Sequence, residues 1–410
     1  TLPFVGPPAC LPLWRGLAHL PYDVAGRIWV ASLGIAMLVV IFGSLALARA
    51  PQTVPVLLGA TIFTAAYGPL ISDVSLGQLA LGCTAAIIAA LLLLPTRAWL
   101  LAAFPVACAG LAPNLAVVLL ARLGDLRALI AFAAGAFAFG ALMASQGPGG
   151  IARYLHLLSI HGAAEASTVI QMTPAAISFA FGESAAAFAR IISAAIAVAL
   201  TIVALRRVSP PAMRIGIASC MLPFVVPFFH EHDFVLAILP AIMCAALARG
   251  TALSLAAVGA TAAGVDWLGL AQRVPNEPQA IVLSLACALG FALIAQLRRE
   301  AFAALAVPVF VAAICLLARA HPVPIWPDAL PPHWQPPPNV SVSAVWEMEQ
   351  RVAGLDAPDP VWELLRALSL ASCALLGFAT YLTSTRAWLR ERGHSYGRIP
   401  RTRAARSLKA

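Results

Sequence analysis

The sequence has little charge and almost no lysine. Charged residues make up 10% of its 410 residues, whereas soluble domains carry roughly 25%, and Lys409 is the single lysine. A nucleic-acid-binding protein needs a basic face on a soluble domain. No segment has the composition of such a domain, so the surplus of basic over acidic residues does not indicate a nucleic-acid partner.

Paired cysteines and metal-ligand spacings are also lacking. The eight cysteines lie almost all within apolar stretches, none belongs to a Cys-x-x-Cys pair, and none stands beside a histidine at metal-ligand spacing. This pattern predicts free, buried thiols that act as small hydrophobic side chains. It excludes a small secreted domain held together by disulfides.

Polar residues are rare over long stretches of the chain. Hydrophobic residues account for 61% of the sequence, the mean hydropathy is +0.90, and the apolar runs of about 18 to 24 residues match a bilayer core. The predicted spans lie near residues 26–48, 54–71, 79–95, 128–144, 185–205, 215–229, 234–248, 251–270, 280–297, 302–318 and 364–384. The fold class is therefore an all-α polytopic membrane protein.

Two proline-containing segments add to these spans. Residues 3–22 suit a short or re-entrant helix at a membrane interface, and residues 98–121 are broken by Pro105 and by Ala112-Pro113-Asn114. Such breaks are tolerated at membrane depth only where protein or a wet cavity covers the backbone. With them, the prediction is a bundle of about 11–13 transmembrane or re-entrant helices.

The arginines predict the orientation of the spans. Those between successive spans, together with the tail from Arg386 to Lys409, fall on one side, which the positive-inside rule makes cytoplasmic. The other side receives Asp73, the 145–183 stretch, the His230–Asp233 cluster and the 319–362 loop. We therefore expect a multi-pass protein of the bacterial inner membrane, with a cytoplasmic C-terminus and an extracytoplasmic active site.

The same pattern predicts four regions. They are a transmembrane catalytic bundle (1–318), an extracytoplasmic loop rich in proline and tryptophan (319–362), a last transmembrane helix (363–385) and a basic cytoplasmic tail (386–410). Since the chain opens with Thr1, we expect an N-terminal helix and a first outer loop to precede it. Tryptophans of the 319–362 loop suit a membrane interface or a sugar face.

The sharpest polar cluster is His230-Glu231-His232-Asp233, between two apolar spans. These residues are able to transfer protons, bind a phosphate or hold a metal; a solvated turn between helices is the alternative. On an α-helix the two histidines would diverge by about 200°, which suits one metal poorly. We therefore expect no metal, and place His230 at the edge of an active site.

Further polar residues interrupt the apolar pattern. Asp73 lies where a helix is expected to start, and either caps that helix, worth about 1 kcal/mol, or takes part in catalysis. Gln78 opens a run that is otherwise apolar to Leu94. Glu165 lies in the 145–183 stretch, and Arg190, within the following span, needs Glu183 or an anionic ligand as a partner.

These segments together resemble glycosyltransferase family 87, polytopic mannosyltransferases of the GT-C superfamily that use polyprenyl-phosphate mannose. The aromatic-Pro-Pro run of the family matches Phe4 to Pro8, and its Gly-Gln pair matches Gly77-Gln78. Its Ser-Pro…His motif, leading to Leu-Pro, is similar to Val226 to Asp233 followed by Leu239-Pro240. The resemblance covers roughly residues 1–250 and puts the functional histidine of the family at His232.

Three positions depart from the family pattern. The lysine that the family commonly has at the fourth block is replaced by Ala112-Pro113-Asn114, and the motif serine by Val226. The catalytic aspartate of the family belongs to the first outer loop, which in this numbering would precede Thr1. If that residue is lacking, Asp233 or Asp73 is the alternative base.

The resemblance implies a sugar transfer with inversion, needing no cofactor. A carboxylate deprotonates a hydroxyl of a lipid or glycan acceptor, and a protonated His232 holds the departing polyprenyl phosphate. His230, Gln78, Glu165 and Arg190 are expected to bind substrate. Besides its donor and acceptor, the expected partners are membrane lipids.

Two other functions remain open at this point. A transporter or flippase of lipid-linked glycans would use the histidine-acid cluster as a proton relay, although its charges are expected near the bilayer midplane. A glycan polymerase or ligase would use the 319–362 loop as an acceptor platform. Proton-coupled uptake without product formation would favour the transporter.

Overall fold

The computed structural model describes residues 6–147, 149–165, 170–208, 210–267, 277–321, 331–335, 337–338, 340, 342–352, 354 and 360–396. Within these residues the regular structure is helical, and an isolated antiparallel bridge joins Gln171 to His230. The prediction of an all-α chain is confirmed.

The helices follow one another closely along the chain. The α-helices are α1 (Leu11–Ala18), α2 (Tyr22–Leu47), α3 (Val54–Ala65), α4 (Gly68–Leu76), α5 (Ala80–Leu93), α6 (Ala103–Ala109), α7 (Pro113–Ala116), α8 (Leu126–Ser145), α9 (Gly150–Glu165), α10 (Pro174–Ser178), α11 (Glu183–Arg207), α12 (Pro211–Met221), α13 (Ile238–Leu247), α14 (Thr251–Ala263), α15 (Glu277–Ile294), α16 (Ala306–Ala320), α17 (Val342–Val352) and α18 (Pro360–Tyr396). Segments of 3₁₀-helix run over Pro8–Cys10, Trp99–Ala102, Val117–Arg122, Phe179–Phe181, Leu222–Phe224, Glu231–Ala237 and Arg299–Leu305.

Five helical segments of the described chain are long and apolar enough to cross a membrane. They are Tyr22–Leu47, Leu126–Ser145, Glu183–Arg207, Arg299–Leu317 and Leu364–Thr385. Helices α3 and α4 make a sixth if the pair, bent by 57°, counts as one span. This confirms a polytopic membrane protein.

Other predicted spans form shorter helices. The run predicted at 79–95 is the 14-residue α5, and the runs at 215–229 and 234–248 are divided among α12, two 3₁₀ segments and α13. Pro223 and Pro227 lack the backbone N–H that a continuing α-helix needs. The backbone between α12 and α13 is therefore free to form the turn that carries the histidines.

The predicted break in residues 98–121 is confirmed. This segment consists of the short helices α6 and α7 flanked by 3₁₀ turns, with Pro105 in α6 and Pro113 at the start of α7. Asn114 thereby lies on a one-turn helix instead of a membrane-crossing one.

The predicted 319–362 loop and last helix have different bounds in the structure. Helix α17 occupies part of the loop, since residues 342–352 have few breakers, and α18 begins at Pro360 and continues to Tyr396, past the predicted end at 385. Residues 322–330, 355–359 and 397–410 lie outside the described chain.

In the core, helices cross closely at positions that carry small residues. A Cβ atom on Gly290 of α15 would lie 2.6 Å from the Phe63 nitrogen of α3, and one on Gly259 of α14 would lie 2.9 Å from the Leu376 nitrogen of α18. Small residues permit such backbone approach in membrane bundles. All eight cysteines are free, as predicted.

Candidate active site

The histidine cluster lies on a tight turn at the start of α13. Met221 ends α12, and the 3₁₀ segment Glu231–Ala237, here called the histidine turn, leads directly into α13. The Asp233 carboxylate accepts the backbone N–H of His230 at 2.9 Å. This bond closes the turn and fixes where its side chains point.

Asp233 is a buried residue of the turn and contacts His232. Its side chain is 6% exposed, and one oxygen lies 3.9 Å from Nε2 of His232. The other oxygen accepts a hydrogen bond of 3.2 Å from Nδ2 of Asn114. Burial raises the pKa of Asp233, while the charge and backbone N–H of His230 and the Asn114 amide oppose that rise. Burial therefore outweighs these opposing interactions.

The rings of His230 and His232 stack at a centroid distance of 5.2 Å and an interplanar angle of 20°. The predicted divergence of the two side chains is wrong, because His230 precedes a 3₁₀ turn and does not lie on an α-helix. With Asp233 they form a group whose ligand atoms lie within 4.8 Å of one another. Such a group is able to hold a metal ion.

Asp73 lies beside the histidine turn but serves a helix end. Its carboxylate is fully buried and accepts the N–H groups of Ala80 at 3.1 Å and Leu81 at 3.3 Å. Asp73 therefore caps α5, which was one of its two predicted roles. Helix α4 packs against the histidine turn, and Asp73 lies close enough to Asp233 for their charges to interact.

Gln78 occupies the junction between α4 and α5. Its N–H bonds the Asp73 carbonyl at 2.9 Å, and its side chain is half-buried. Gly77 before it has a φ of 64°, the left-handed conformation that ends α4. The structure thus places Gln78 next to Asp73, its predicted neighbour.

Of the predicted substrate-binding residues Glu165 and Arg190, the structure describes the side chain of Arg190. Glu165 is the last residue of α9, and its side chain lies outside the described chain. Arg190 is exposed on α11. Among the described residues it forms no ion pair with Glu183, the partner that the sequence suggested.

Buried hydrogen bonds connect the histidine turn to Met172 and to α18. They include one from Arg366, a residue that the sequence analysis did not single out. The Gln171 side chain accepts the N–H of Phe229 at 3.2 Å, and the Phe229 carbonyl accepts the N–H of Met172 at 2.7 Å. Arg366 of α18, fully buried, donates to the Gln171 carbonyl at 3.0 Å. An arginine near the start of an apolar span was the signal that could have revealed it.

Glu231 is a buried residue of the histidine turn. It is 6% exposed, and neither carboxylate oxygen forms a hydrogen bond with a described residue. Burial, and next the charge of Asp266, raise the pKa of Glu231 well above its usual value. A neutral carboxylic acid is therefore the form that the fold favours.

A comparison with models of known protein families assigns the chain to a family. The family model described as glycosyltransferase family 87 matches residues 4–228. Comparisons with curated proteins and with solved structures found no match. The matched region contains Asp73, Gln78 and Asn114 and stops just before His230. Because it covers more than half of the sequence, this membrane protein belongs to glycosyltransferase family 87.

Proposed function

We propose that the protein transfers a sugar, mannose in the first instance, from a polyprenyl-phosphate donor to a lipid or glycan acceptor. The reaction takes place on the extracytoplasmic face of the bacterial inner membrane and inverts the anomeric centre. The observation that carries this proposal is the contact of His232 with the buried Asp233. Helix α4, which lies in the matched family region and carries Asp73, packs against their turn.

His232 holds the departing phosphate in this proposal. A carboxylate 3.9 Å away favours the charged form of an imidazole by Coulomb attraction. The side chain of His232 is 14% exposed, so part of it is open to a ligand. An imidazolium there neutralises the charge that develops on the polyprenyl phosphate as the glycosidic bond breaks.

Among the described residues, Asp233 is the general base in this proposal. Each aspartate accepts two hydrogen bonds, but those of Asp73 come from the start of α5, whereas Asp233 also contacts His232. Asp233 has a raised pKa, so it takes up the proton of an acceptor hydroxyl more readily than an exposed aspartate does. The hydroxyl oxygen then bonds to the anomeric carbon, the bond from that carbon to the phosphate oxygen breaks, and the polyprenyl phosphate leaves.

The imidazolium supplies the positive charge, so the proposed reaction uses no metal or other cofactor. Because His230, His232 and Asp233 are able to hold a metal ion, a chelator tests whether the reaction needs one. Transfer that survives a strong chelator supports it. Transfer that is lost with the chelator and restored by Zn²⁺ or Mn²⁺ would replace the imidazolium by a metal at the same residues.

The experiment is a transfer assay with the full-length protein in membranes. Polyprenyl-phosphate [¹⁴C]mannose is supplied with a mixed lipid extract, and label in new lipid or glycan is measured. His232→Ala should abolish transfer at unchanged protein level, whereas His156→Ala, at an exposed position of α9, should leave it intact. Equal transfer by His232→Ala would refute the site, and failure with mannose and other sugar donors would refute the activity.

A transporter is distinguished in the same membranes. Sealed vesicles that accumulate labelled lipid-linked sugar on acidification, without forming a new glycosidic product, would identify the histidine turn as a proton relay. The proposed enzyme instead forms product whether or not a proton gradient is present.

A further inference from the structure

A cluster of arginines lies at one membrane end of the bundle, where α8 begins and α11 ends. Both helices are candidate membrane spans, Leu126–Ser145 and Glu183–Arg207. The flanking stretches 117–127 and 204–214 contain five arginines, and Asp125 is their one acidic residue. These arginines, here called the basic cluster, are Arg122, Arg127, Arg206, Arg207 and Arg214. The cluster lies on the side that the arginine distribution predicts to be cytoplasmic.

Contacts between separate helices bring three of these guanidinium groups together. Arg214, near the start of α12, donates from Nε to the Val208 carbonyl at 2.7 Å, next to Arg207. Arg207 donates to the hydroxyl of Tyr381 on α18 at 3.4 Å. Arg214 also lies close enough to Arg122 for their charges to repel each other. The positive charges therefore concentrate at one place between α11, α12 and the segment before α8.

Arg122 is enclosed within the cluster. Its side chain is 9% exposed and pairs with the carboxylate of Asp125, while its buried Nε has no hydrogen-bond partner among the described residues. Arginines that only set the orientation of the spans are able to stay apart and solvated. Two like charges held as close as those of Arg122 and Arg214 favour a bound anion beyond the single carboxylate of Asp125.

Exposed apolar side chains border the basic cluster. They are from 45% to 69% exposed and belong to the segment before α8, to the start of α8 and to the end of α11: Leu120, Leu123, Leu126, Ile202 and Val203. Such side chains beside a candidate span face the acyl chains of the bilayer. A free phosphate ion would not use this apolar border, whereas a phospholipid would use it together with the arginines.

We propose that the basic cluster binds the headgroup of an anionic phospholipid. Its phosphate lies among Arg122, Arg207 and Arg214, and its acyl chains lie against the apolar border. Guanidinium groups match phosphate oxygens in two-pronged hydrogen bonds, and basic pockets between membrane helices bind lipid headgroups. The surplus of positive charge fits the two phosphates of cardiolipin better than a single phosphate. The site is at the other end of α12 from the histidine turn and does not depend on the proposed function.

The experiment measures the melting temperature of the purified full-length protein in detergent while a ligand is added. A ligand that binds the folded state raises this temperature with its concentration, which yields an apparent Kd. Cardiolipin should stabilise the wild type, phosphatidylglycerol should do so less, and phosphatidylcholine or inorganic phosphate at the same concentration should have no effect.

Substitutions in the cluster should weaken this binding. Arg207→Gln and Arg214→Gln should each raise the apparent Kd for cardiolipin about fivefold, and Arg214→Lys, which keeps the charge, should recover most of the affinity. Arg207 is exposed, so its replacement keeps the test valid even if Arg214→Gln melts at a lower temperature without lipid. Arg299→Gln, exposed in the 3₁₀ segment Arg299–Leu305, is the matched control and should bind as the wild type does.

Each contrary outcome overturns a stated part of the proposal. Equal apparent Kd values in the wild type, Arg207→Gln and Arg214→Gln would overturn the site, as would an equal loss in Arg299→Gln. Stabilisation by inorganic phosphate as strong as that by cardiolipin would replace the lipid by a free anion. Equal stabilisation by phosphatidylcholine would show that the charge of the headgroup plays no part.

Discussion

The side chain of Asn114 donates a hydrogen bond of 3.2 Å to the carboxylate of Asp233, across 119 residues of sequence. Asn114 stands on the one-turn helix α7. The neutral amide supports the ionised carboxylate without forming an ion pair with it. Burial keeps the pKa of Asp233 raised in spite of this bond, and the charge of a neighbouring lysine would lower that pKa.

The Asn114→Ala variant tests this contact through the pH profile of transfer. The Asn114 amide stabilises the ionised form of Asp233, so its removal should raise the pKa of that carboxyl further. If Asp233 is the base, the acid limb of the profile should move to higher pH, and transfer at neutral pH should fall by about tenfold. A profile that keeps its midpoint while the rate falls would show that Asn114 acts on something other than the proton of Asp233.

The roles of the two neighbouring aspartates should separate when each is replaced. Asp233→Asn should reduce transfer by about 10²- to 10⁴-fold, the contribution of a general base. Asp73→Asn keeps an oxygen that caps α5 and should retain most of the transfer, whereas Asp73→Ala should lose about 1 kcal/mol of stability. Transfer rates and unfolding temperatures of the purified variants check both statements.

Glu183→Gln is the control for these variants, since Glu183 is exposed at the start of α11. A loss of only a few-fold in Asp233→Asn would assign the base to a carboxylate elsewhere in the protein. Asp233 would then keep only its contact with His232.

Arg366 should stabilise the histidine turn from a distance. Arg366→Met leaves the Gln171 carbonyl without this donor in a buried place, and should reduce stability by about 1–3 kcal/mol. Arg366→Lys keeps a charged donor and should recover part of the loss. Thermal unfolding in detergent measures the effect, with Arg127→Met, at an exposed position of α8, as the control. Equal melting temperatures in all variants would show that the hydrogen bond from Arg366 to Gln171 does not contribute to stability.

Much of the fold follows from short-range features of the sequence. The apolar runs predict the membrane-length helices, and Pro105 and Pro113 predict the break of the 98–121 segment, because each signal acts on its own stretch of backbone. The 3₁₀ form of the histidine turn was not predictable in this way. It depends on the bond from the His230 backbone to Asp233, which an assumption of α-helical geometry misses.

The partners of the site residues were even less accessible to sequence reasoning. Asp233 meets Asn114, and Gln171 meets Arg366, 195 residues away. Contacts of this kind depend on how the whole bundle packs, and no local pattern encodes them. The polar residues themselves were identifiable, since polar groups inside apolar runs are costly unless partnered, but their pairing required the structure.

The close packing of α15 on α3 leads to a further prediction about stability. Gly290→Ala should destabilise the protein by about 1–3 kcal/mol, because its Cβ would lie 2.6 Å from the Phe63 backbone of α3. Gly140→Ala on α8 is the matched change, since a Cβ there meets no atom within 4 Å. It should be neutral or stabilising, as alanine is the better helix former. Equal unfolding temperatures would contradict the close packing of α3 on α15.

Glu231 should make the stability of the protein depend on pH. Its ordinary pKa is 4.5, and burial followed by the charge of Asp266 raises that of the folded state well above this value. As the pH rises above the ordinary value, the unfolded chain releases this proton while the folded chain retains it. Folding then becomes less favourable until the folded pKa is reached. Stability from this group is thus greatest at acidic pH and declines toward neutral pH.

Glu231→Gln removes the proton exchange while keeping the size of the side chain. The variant should unfold at a temperature that varies less between about pH 5 and pH 8 than that of the wild type, and it should be the more stable of the two at the upper end. Glu183→Gln, exposed on α11, should follow the wild type at every pH. If Glu231→Gln and the wild type show parallel profiles instead, the pKa of Glu231 does not change on folding, and the expected effect of its burial is wrong.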